Sequence, residues 1–374
     1  MEKIKIAIVG IGNCASALIQ GLHYYGGLTG PVENGLLHWE MAGYTPGHIE
    51  VAAAIDVDTR KVGKRLSQAI YSKPNCCYAI TPTVPESSVR VAMGQVHDGV
   101  SPHMQNYTND ETIMVSEHPA LSQGEIVRLL RNTATDVMVN YLPVGSERAT
   151  RFYAECALKA GVGFINCIPV FIASDPAWEK KFHQANLPLV GDDIKSQLGA
   201  TIVHRRLVDL FRMRGVRIKR SYQINVGGNT DFLNMLNRDR LTSKKISKTE
   251  AVQSRFSKRL PDESLHVGPS DYVPWLNDNK IAFMRVEGEA FGGAPVNIEL
   301  RLDVEDSPNS AGVVVDAIRC CKIARDRGVG GVLKAASAFF CKHPPVQLSD
   351  EEAFSQLEDF IAEALDPAKR KPSP

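Results

Sequence analysis

Two glycines and a small residue, in the spacing Gly10-x-Gly12-x-x-Ala15, follow the apolar run Ile4–Val9 and open a segment of helical character. In that setting the glycines let backbone amides at a helix N-terminus approach a diphosphate, and a small third residue lets helix and strand pack closely. Asp56 ends the next apolar run, residues 51–56, where a carboxylate accepts hydrogen bonds from the ribose hydroxyls of an adenine dinucleotide and disfavours a 2′-phosphate. Together they predict NAD binding. Gly12 and Asp56 stand further apart than the usual ~20 residues, which we assign to a long first crossover containing Gly26, Gly27 and Pro31. The plainer reading is an ordinary glycine turn and a solvated aspartate.

A second set of candidates is cationic. Lys244, Lys245 and Lys248 fall within five residues, and Lys244 shares a face with Lys248 if the segment is helical. Lys280 stands in Asn277-Asp-Asn-Lys280 and Lys342 in Phe340-Cys-Lys-His-Pro344. Each alone is ordinarily a solvated surface lysine. Gathered in a closed pocket, ammonium groups repel and lower one another's pKa, so that one lysine can move a proton near neutrality while its neighbours hold a phosphate.

Polar groups recur near these cations. The stretch Gly227-Gly228-Asn229-Thr230-Asp231 is a turn after an apolar strand, suited to a hydroxylated ligand or simply to a hairpin. Asp192 and Asp193 follow a strand end, with Lys195 and Ser196 expected to open the next helix. One aspartate could orient a nicotinamide or a ribose, or both could serve as helix caps. Asp306 heads a helix-initiating turn, and its carboxylate could also counter the lysines.

These residues need a scaffold. Two βα units at the N-terminus, followed by strand, helix, strand and helix over residues 136–142, 146–160, 163–167 and 175–184, predict a doubly wound parallel sheet, continued by a strand at 187–190. Residues 60–69 read as helical, and residues 70–120 as an insertion of loops and irregular turns. Longer strand-like stretches at 216–226 and 296–304 mark a second domain, the latter alternating like a half-exposed antiparallel strand. The helix expected over 310–327 carries an apolar stripe that returns the chain to the first domain. The tail 367–374 is basic, proline-rich and expected to be disordered.

Composition narrows the function. Lys and Arg number 43 against 42 Asp and Glu, so no global field favours nucleic acid or an anionic membrane, and an anionic ligand must be held locally. The eight cysteines form no CxxC pair and no zinc-finger spacing, which fits reduced thiols in the cytoplasm. Neither a signal peptide nor a membrane-spanning run is read in the sequence.

The segments GDDIKSQLGATI (191–202), YQINVGGNTDF (222–232), SKKISKT (243–249), GPSDYVPWLNDNK (268–280) and DSPNSAG (306–312), with GIGNCASAL at the N-terminus, resemble the myo-inositol-1-phosphate synthase family in its shorter prokaryotic form. The likeness is nearly continuous over residues 136–345, and weak over 27–120. It implies an NAD-binding Rossmann domain over 1–200, a mixed α/β catalytic and tetramerisation domain over 201–308, and a C-terminal segment, 309–374, that returns to the first. Carried over by position, Gly10, Gly12, Asn13, Cys14, Ala15 and Asp56 contact NAD, with Asp193 and Ser196 near its ribose and nicotinamide. Lys244, Lys248, Lys280 and Lys342 match the active-site lysines, and Asp278 and Asp306 its acids. Gly228, Asn229, Thr230 and Asp231 form the substrate turn, although eukaryotic members word it LGNN.

The implied reaction converts D-glucose 6-phosphate to 1D-myo-inositol 3-phosphate in a homotetramer: oxidation at C5, enolisation, closure of C6 on C1, and re-reduction. A divalent or monovalent cation is an open element of that resemblance, and no metal ligand is assigned. The competing activity is an NAD-dependent sugar-phosphate dehydrogenase, which would release NADH.

Overall fold

The computed structural model describes residues 1–31 and 35–365, and the basic tail 367–374 lies outside them. The N-terminal half builds one parallel sheet from β1 (Ile4–Val9), β2 (Ile49–Asp56), β3 (Val91–Met93), β4 (Val137–Asn140), β5 (Gly163–Asn166) and β6 (Pro188–Val190). A late strand, β11 (Gly331–Val332), joins its edge. The order β11-β6-β5-β4-β1-β2-β3 reverses direction at β1, which opens a crevice beyond the C-terminal ends of β1 and β4. An open α/β sheet binds its ligands at such a switch point.

Burial explains the composition of these strands. Ile4, Ile6 and Ile8 pack on one face with Ala317, Ile318 and Cys321 of the long helix Asp306–Asp326, while Ala7 and Val9 face Met138, Phe164 and Tyr153 on the other. Both faces are covered, so the strands read as continuous apolar runs. Local signals set the helix ends: Ser122 and Glu125 form a capping box, Asp175 caps the helix Pro176–Gln184 through Ala177 N, and Gly161 ends Glu147–Ala160 in the left-handed region.

The second sheet runs β10-β9-β7-β8, from β7 (Arg217–Gly227), β8 (Leu265–Tyr272), β9 (Asn279–Glu289) and β10 (Pro295–Glu305). Only β7 and β8 are parallel; β9 runs antiparallel to both β7 and β10. One face packs on the helices Ala200–Met213 and Thr242–Gln253 through residues such as Val208, Val252 and Val267. On the other, Tyr222, Ile224 and Phe283 remain exposed.

Three local readings differ from the structure. Only Leu66–Ala69 is helical within the stretch 60–69, because Asp58 draws in the Arg60 amide, Lys61 turns inward and Gly63 takes a positive φ. The mostly irregular region 70–120 also contributes β3, too short and too weakly patterned to stand out. Lys195 and Ser196 do not open a helix. The next one begins at Ala200, and Lys195 is buried with its ammonium donating to the carbonyls of Ala338 and Phe339.

Candidate active site

Strand ends place the candidates around one cleft. Gly10 and Gly12 follow β1, Asp56 ends β2, Tyr141 to Val144 follow β4, Cys167 to Pro169 follow β5, and Asp193 lies just past β6. From the second domain, Asn229, Thr230 and Asp231 follow β7, Lys280 opens β9 and Asp306 follows β10. The antiparallel register makes this convergence unavoidable, since Lys280 pairs with Gly227 across β7–β9 and with Val304 across β9–β10. Lys244 and Lys248 enter on the helix Thr242–Gln253, and Lys342 follows the helix Lys334–Phe340. The cleft they line has a volume of about 220 Å³ and opens to solvent.

At one end of the cleft the glycine turn is held from both sides. Gly10 has φ of 90°, and a Cβ there would come within 2.7 Å of the Tyr141 carbonyl. Asp56 accepts the Ile11 amide at 2.6 Å, as well as the amides of Val57 and Asp58. Lys61 donates to the Ile11 carbonyl at 2.8 Å and to Asn75 at 2.8 Å, and Asn75 donates to the same carbonyl. The helix Asn13–Gly26 has neither a capping side chain nor an acid in its first turn. A Cβ on Gly12 would meet nothing within 4 Å. Free amides, a helix N-terminus and open space beside the turn fit a dinucleotide diphosphate.

Neighbouring candidates take different places. Ala15 is fully buried in the core beneath the turn and does not line the cleft, so its part is packing. Asn13 receives the Cys76 amide at 2.7 Å. Burial, with Asp278 and Asp306 nearby, pushes the Cys14 thiol up to about 12, and it rests between the Ser307 and Ser310 hydroxyls. Ser196 lines the cleft.

The adjacent aspartates separate clearly. Asp192 is buried and accepts five hydrogen bonds, from Asn166, from the amides of Ile172, Ala173 and Ser174, and from the Ser174 hydroxyl. It braces a loop, and burial pushes its carboxyl up to about 6. Asp193 faces the cleft with φ of 61° and binds Lys342 Nζ at 2.8 Å and the Ser247 hydroxyl at 2.6 Å. Burial opposes its charge, yet Lys342 and Lys244 hold its carboxyl below the ordinary range.

The four lysines differ in partners. Lys244 reaches Asp231 at 3.1 Å, Lys280 reaches Asp306 at 3.0 Å, and Lys342 also donates to the Ile194 carbonyl at 2.7 Å. Lys248 is buried, and among the described residues no hydrogen bond or ion pair engages its ammonium. Burial, then Lys244, Lys280 and Lys342, push its pKa well down. Lys280 goes the other way: despite burial, Asp306 holds its pKa above the ordinary value. The site therefore holds one lysine poised to accept an anion among three that are already countered.

Asp278 and Gly228 stand behind this surface. Asp278 does not line the cleft. It accepts from Asn229 Nδ2, Ser307 N and Ser307 Oγ, and burial followed by the nearby Asp306 raises its carboxyl to about 7. Asn229 also caps the short helix Thr230–Asn234, and the Thr230 hydroxyl donates to the Glu111 carbonyl. At Gly228 a Cβ would sit 2.5 Å from Asn277 N and from Val273 O, so only glycine lets the turn lie against that backbone. Among the described residues no group of three or more His, Cys, Asp or Glu could hold a metal, so the divalent or monovalent cation left open by the resemblance finds no support.

Sequence reasoning missed Lys61, Asn75, Ser247 and Ser307. A signal for Ser247 was present, since it sits between Lys244 and Lys248 on their helix. Lys61 gave none, because its stretch reads as a solvated helix.

Residues 199–307 match the family model described as myo-inositol-1-phosphate synthase. An inositol-3-phosphate synthase of Mycolicibacterium smegmatis is 51% identical over 367 residues, covering 96% of this chain and 98% of that protein. One from Corynebacterium glutamicum is 50% identical over 368 residues, covering 96% and 99%. The crystal structure of Ari2 is similar over 97% of this chain and 99% of its own, with a TM-score of 0.77 and 32% identity.

Proposed function

The chain belongs to the myo-inositol-1-phosphate synthase family, and from that premise we propose how its cleft carries out the inositol-3-phosphate synthase reaction. D-Glucose 6-phosphate is oxidised at C5, enolised, closed by attack of C6 on C1 and reduced again, giving 1D-myo-inositol 3-phosphate with no net redox change. The observation that carries this reading is the convergence of Lys244, Lys248, Lys280 and Lys342 on the cleft that also contains the glycine turn.

In this reading NAD lies along Gly10, Gly12, Asn13 and Cys14, with its adenosine ribose at Asp56 and its other end near Asp193 and Ser196. When bound it supplies a reversible hydride acceptor for C5. Lys248 and Lys280 hold the substrate phosphate, with Lys248 regaining full charge beside the dianion. Lys244, paired with Asp231, passes a proton to that carboxylate as it takes the C5 hydroxyl proton while the C5–H bond breaks, and both transfers reverse in the final reduction.

A phosphate oxygen removes the C6 proton, and Lys342 stabilises the negative oxygen at C5 of the resulting enolate. As C6 attacks C1, the C1 carbonyl oxygen takes the proton held by the phosphate and becomes the new hydroxyl, and the C5 oxygen returns to a carbonyl. Asp278, shared between Asn229 and Ser307, positions the substrate turn against the Asp306 helix.

The NAD-binding unit in this proposal comprises residues 1–200 and 309–374, with 201–308 as the catalytic and tetramerisation unit. The tetramer is supported by the exposed face of Tyr222, Ile224 and Phe283, where Ile224 and Phe283 pair across strands. No helix among the described residues is long and apolar enough to cross a membrane. All eight cysteines are free, which supports a cytoplasmic setting.

Incubation with glucose 6-phosphate and substoichiometric NAD tests the proposal. Many turnovers of phosphatase-releasable inositol per NAD are expected. NADH accumulating in step with substrate loss would instead show the dehydrogenase.

A further inference from the structure

A second cavity lies in the catalytic unit, between the end of the helix Ala200–Met213, the start of β7 and the segment 255–264. It has a volume of about 620 Å³, partly open to solvent, over a floor that includes Val208, Val216, Ile218 and Leu260. Its cations are Arg212, Arg217, Lys219, Arg255, Lys258 and Arg259, and among the described residues no acid lines it.

Partners outside the cavity fix some of these groups in place. Asp209 holds Arg255 through contacts of 2.9 and 3.1 Å, Glu250 holds Arg259 at 2.8 Å, and Glu289 holds Lys219 at 3.2 Å. Among the described residues Arg217 and Lys258 have no ion pair. The Arg255 guanidinium, held in place by Asp209, beside two uncompensated cations suits phosphate oxygens, and the concave, mostly non-aromatic lining suits a small ligand.

We propose that this cavity binds a small polyanion carrying at least two phosphate groups. Its occupation is coupled to the catalytic cleft through Arg259, whose partner Glu250 lies two residues beyond Lys248 on the same helix. An anion that draws Arg259 away removes a tie on that helix and so changes turnover.

Calorimetric titration of the full-length, NAD-loaded protein with inorganic pyrophosphate tests the site. Pyrophosphate should still bind Lys248→Met, in which the phosphate site of the cleft is weakened, and adding Arg217→Glu/Lys258→Glu to that variant or to the wild type should weaken binding at the second cavity at least tenfold. The double variant without Lys248→Met should keep basal turnover, and pyrophosphate should change the turnover of the wild type but not of the double variant. Absence of binding, binding unaffected by the double substitution, or loss of binding in Lys248→Met alone would overturn the site. Binding that leaves wild-type turnover unchanged would overturn the coupling. Failure of the proposed synthase reaction is separate, since it would show in product formation without pyrophosphate.

Discussion

Lys342 Nζ lies 2.8 Å from Asp193 Oδ1, which joins the C-terminal segment to the end of the parallel sheet. The other oxygen of the same carboxylate takes the Ser247 hydroxyl, so the helix of Lys244 and Lys248 is tied to the same point. Asp193→Asn should therefore cost turnover by about two orders of magnitude or more, the range of a misplaced charged group. Ser247→Ala should cost about tenfold, near the value of one hydrogen bond to a charged group. Steady-state kinetics beside thermal unfolding checks both. Wild-type turnover in Asp193→Asn would remove this junction from the mechanism.

The glycine turn depends on Asp56 from one side and Lys61 from the other. Asp56→Ala should weaken NAD binding by about 1.5 to 3 kcal/mol, as for loss of hydrogen bonds to a charged group. Lys61→Met should weaken it in the same direction by loosening the Ile11 peptide. Direct titration with NAD measures both, and an unchanged dissociation constant would contradict the placement.

Much of this arrangement was legible in the sequence. The parallel sheet could be read because its strands, buried on both faces, form plain apolar runs, and Asp56 could be read because it ends one of them. Asp192 and Asp193 could not be told apart locally, since their roles depend on what Asn166 and Lys342 bring from distant parts of the chain. Lys61 was hidden for the same reason. Its partners lie 50 and 14 residues away, and nothing in a charged stretch says which lysine turns inward.

Asp278 predicts a pH dependence of stability. Its carboxyl is raised from 3.8 in the unfolded chain to about 7 in the folded one, so the native state binds this proton more tightly. Its contribution favours folding at low pH and is lost as pH rises through that interval. Asp278→Asn has no such titration. The difference in Tm, variant minus wild type, should therefore increase between about pH 5 and pH 8. A difference that stays flat would show that Asp278 does not titrate there.

Lys248 predicts proton uptake. Its ammonium is pushed well below its ordinary pKa, and a bound phosphate restores the charge. Calorimetry of inorganic phosphate binding at about pH 9, in buffers of different ionisation enthalpy, should show protons taken up by the wild type. Lys248→Met should lose that uptake and bind phosphate more weakly. Equal uptake in both proteins would assign the proton elsewhere.

The central claim is that hydride leaves and returns to the same substrate within one closed site. Glucose 6-phosphate carrying deuterium at C5 tests it in a single incubation with limiting NAD in ordinary water. The product inositol phosphate should retain one deuterium at the carbon derived from C5, while the free cofactor pool stays unlabelled. Deuterated NADH formed in proportion to substrate consumed, or inositol phosphate carrying ordinary hydrogen at that carbon, would contradict the claim.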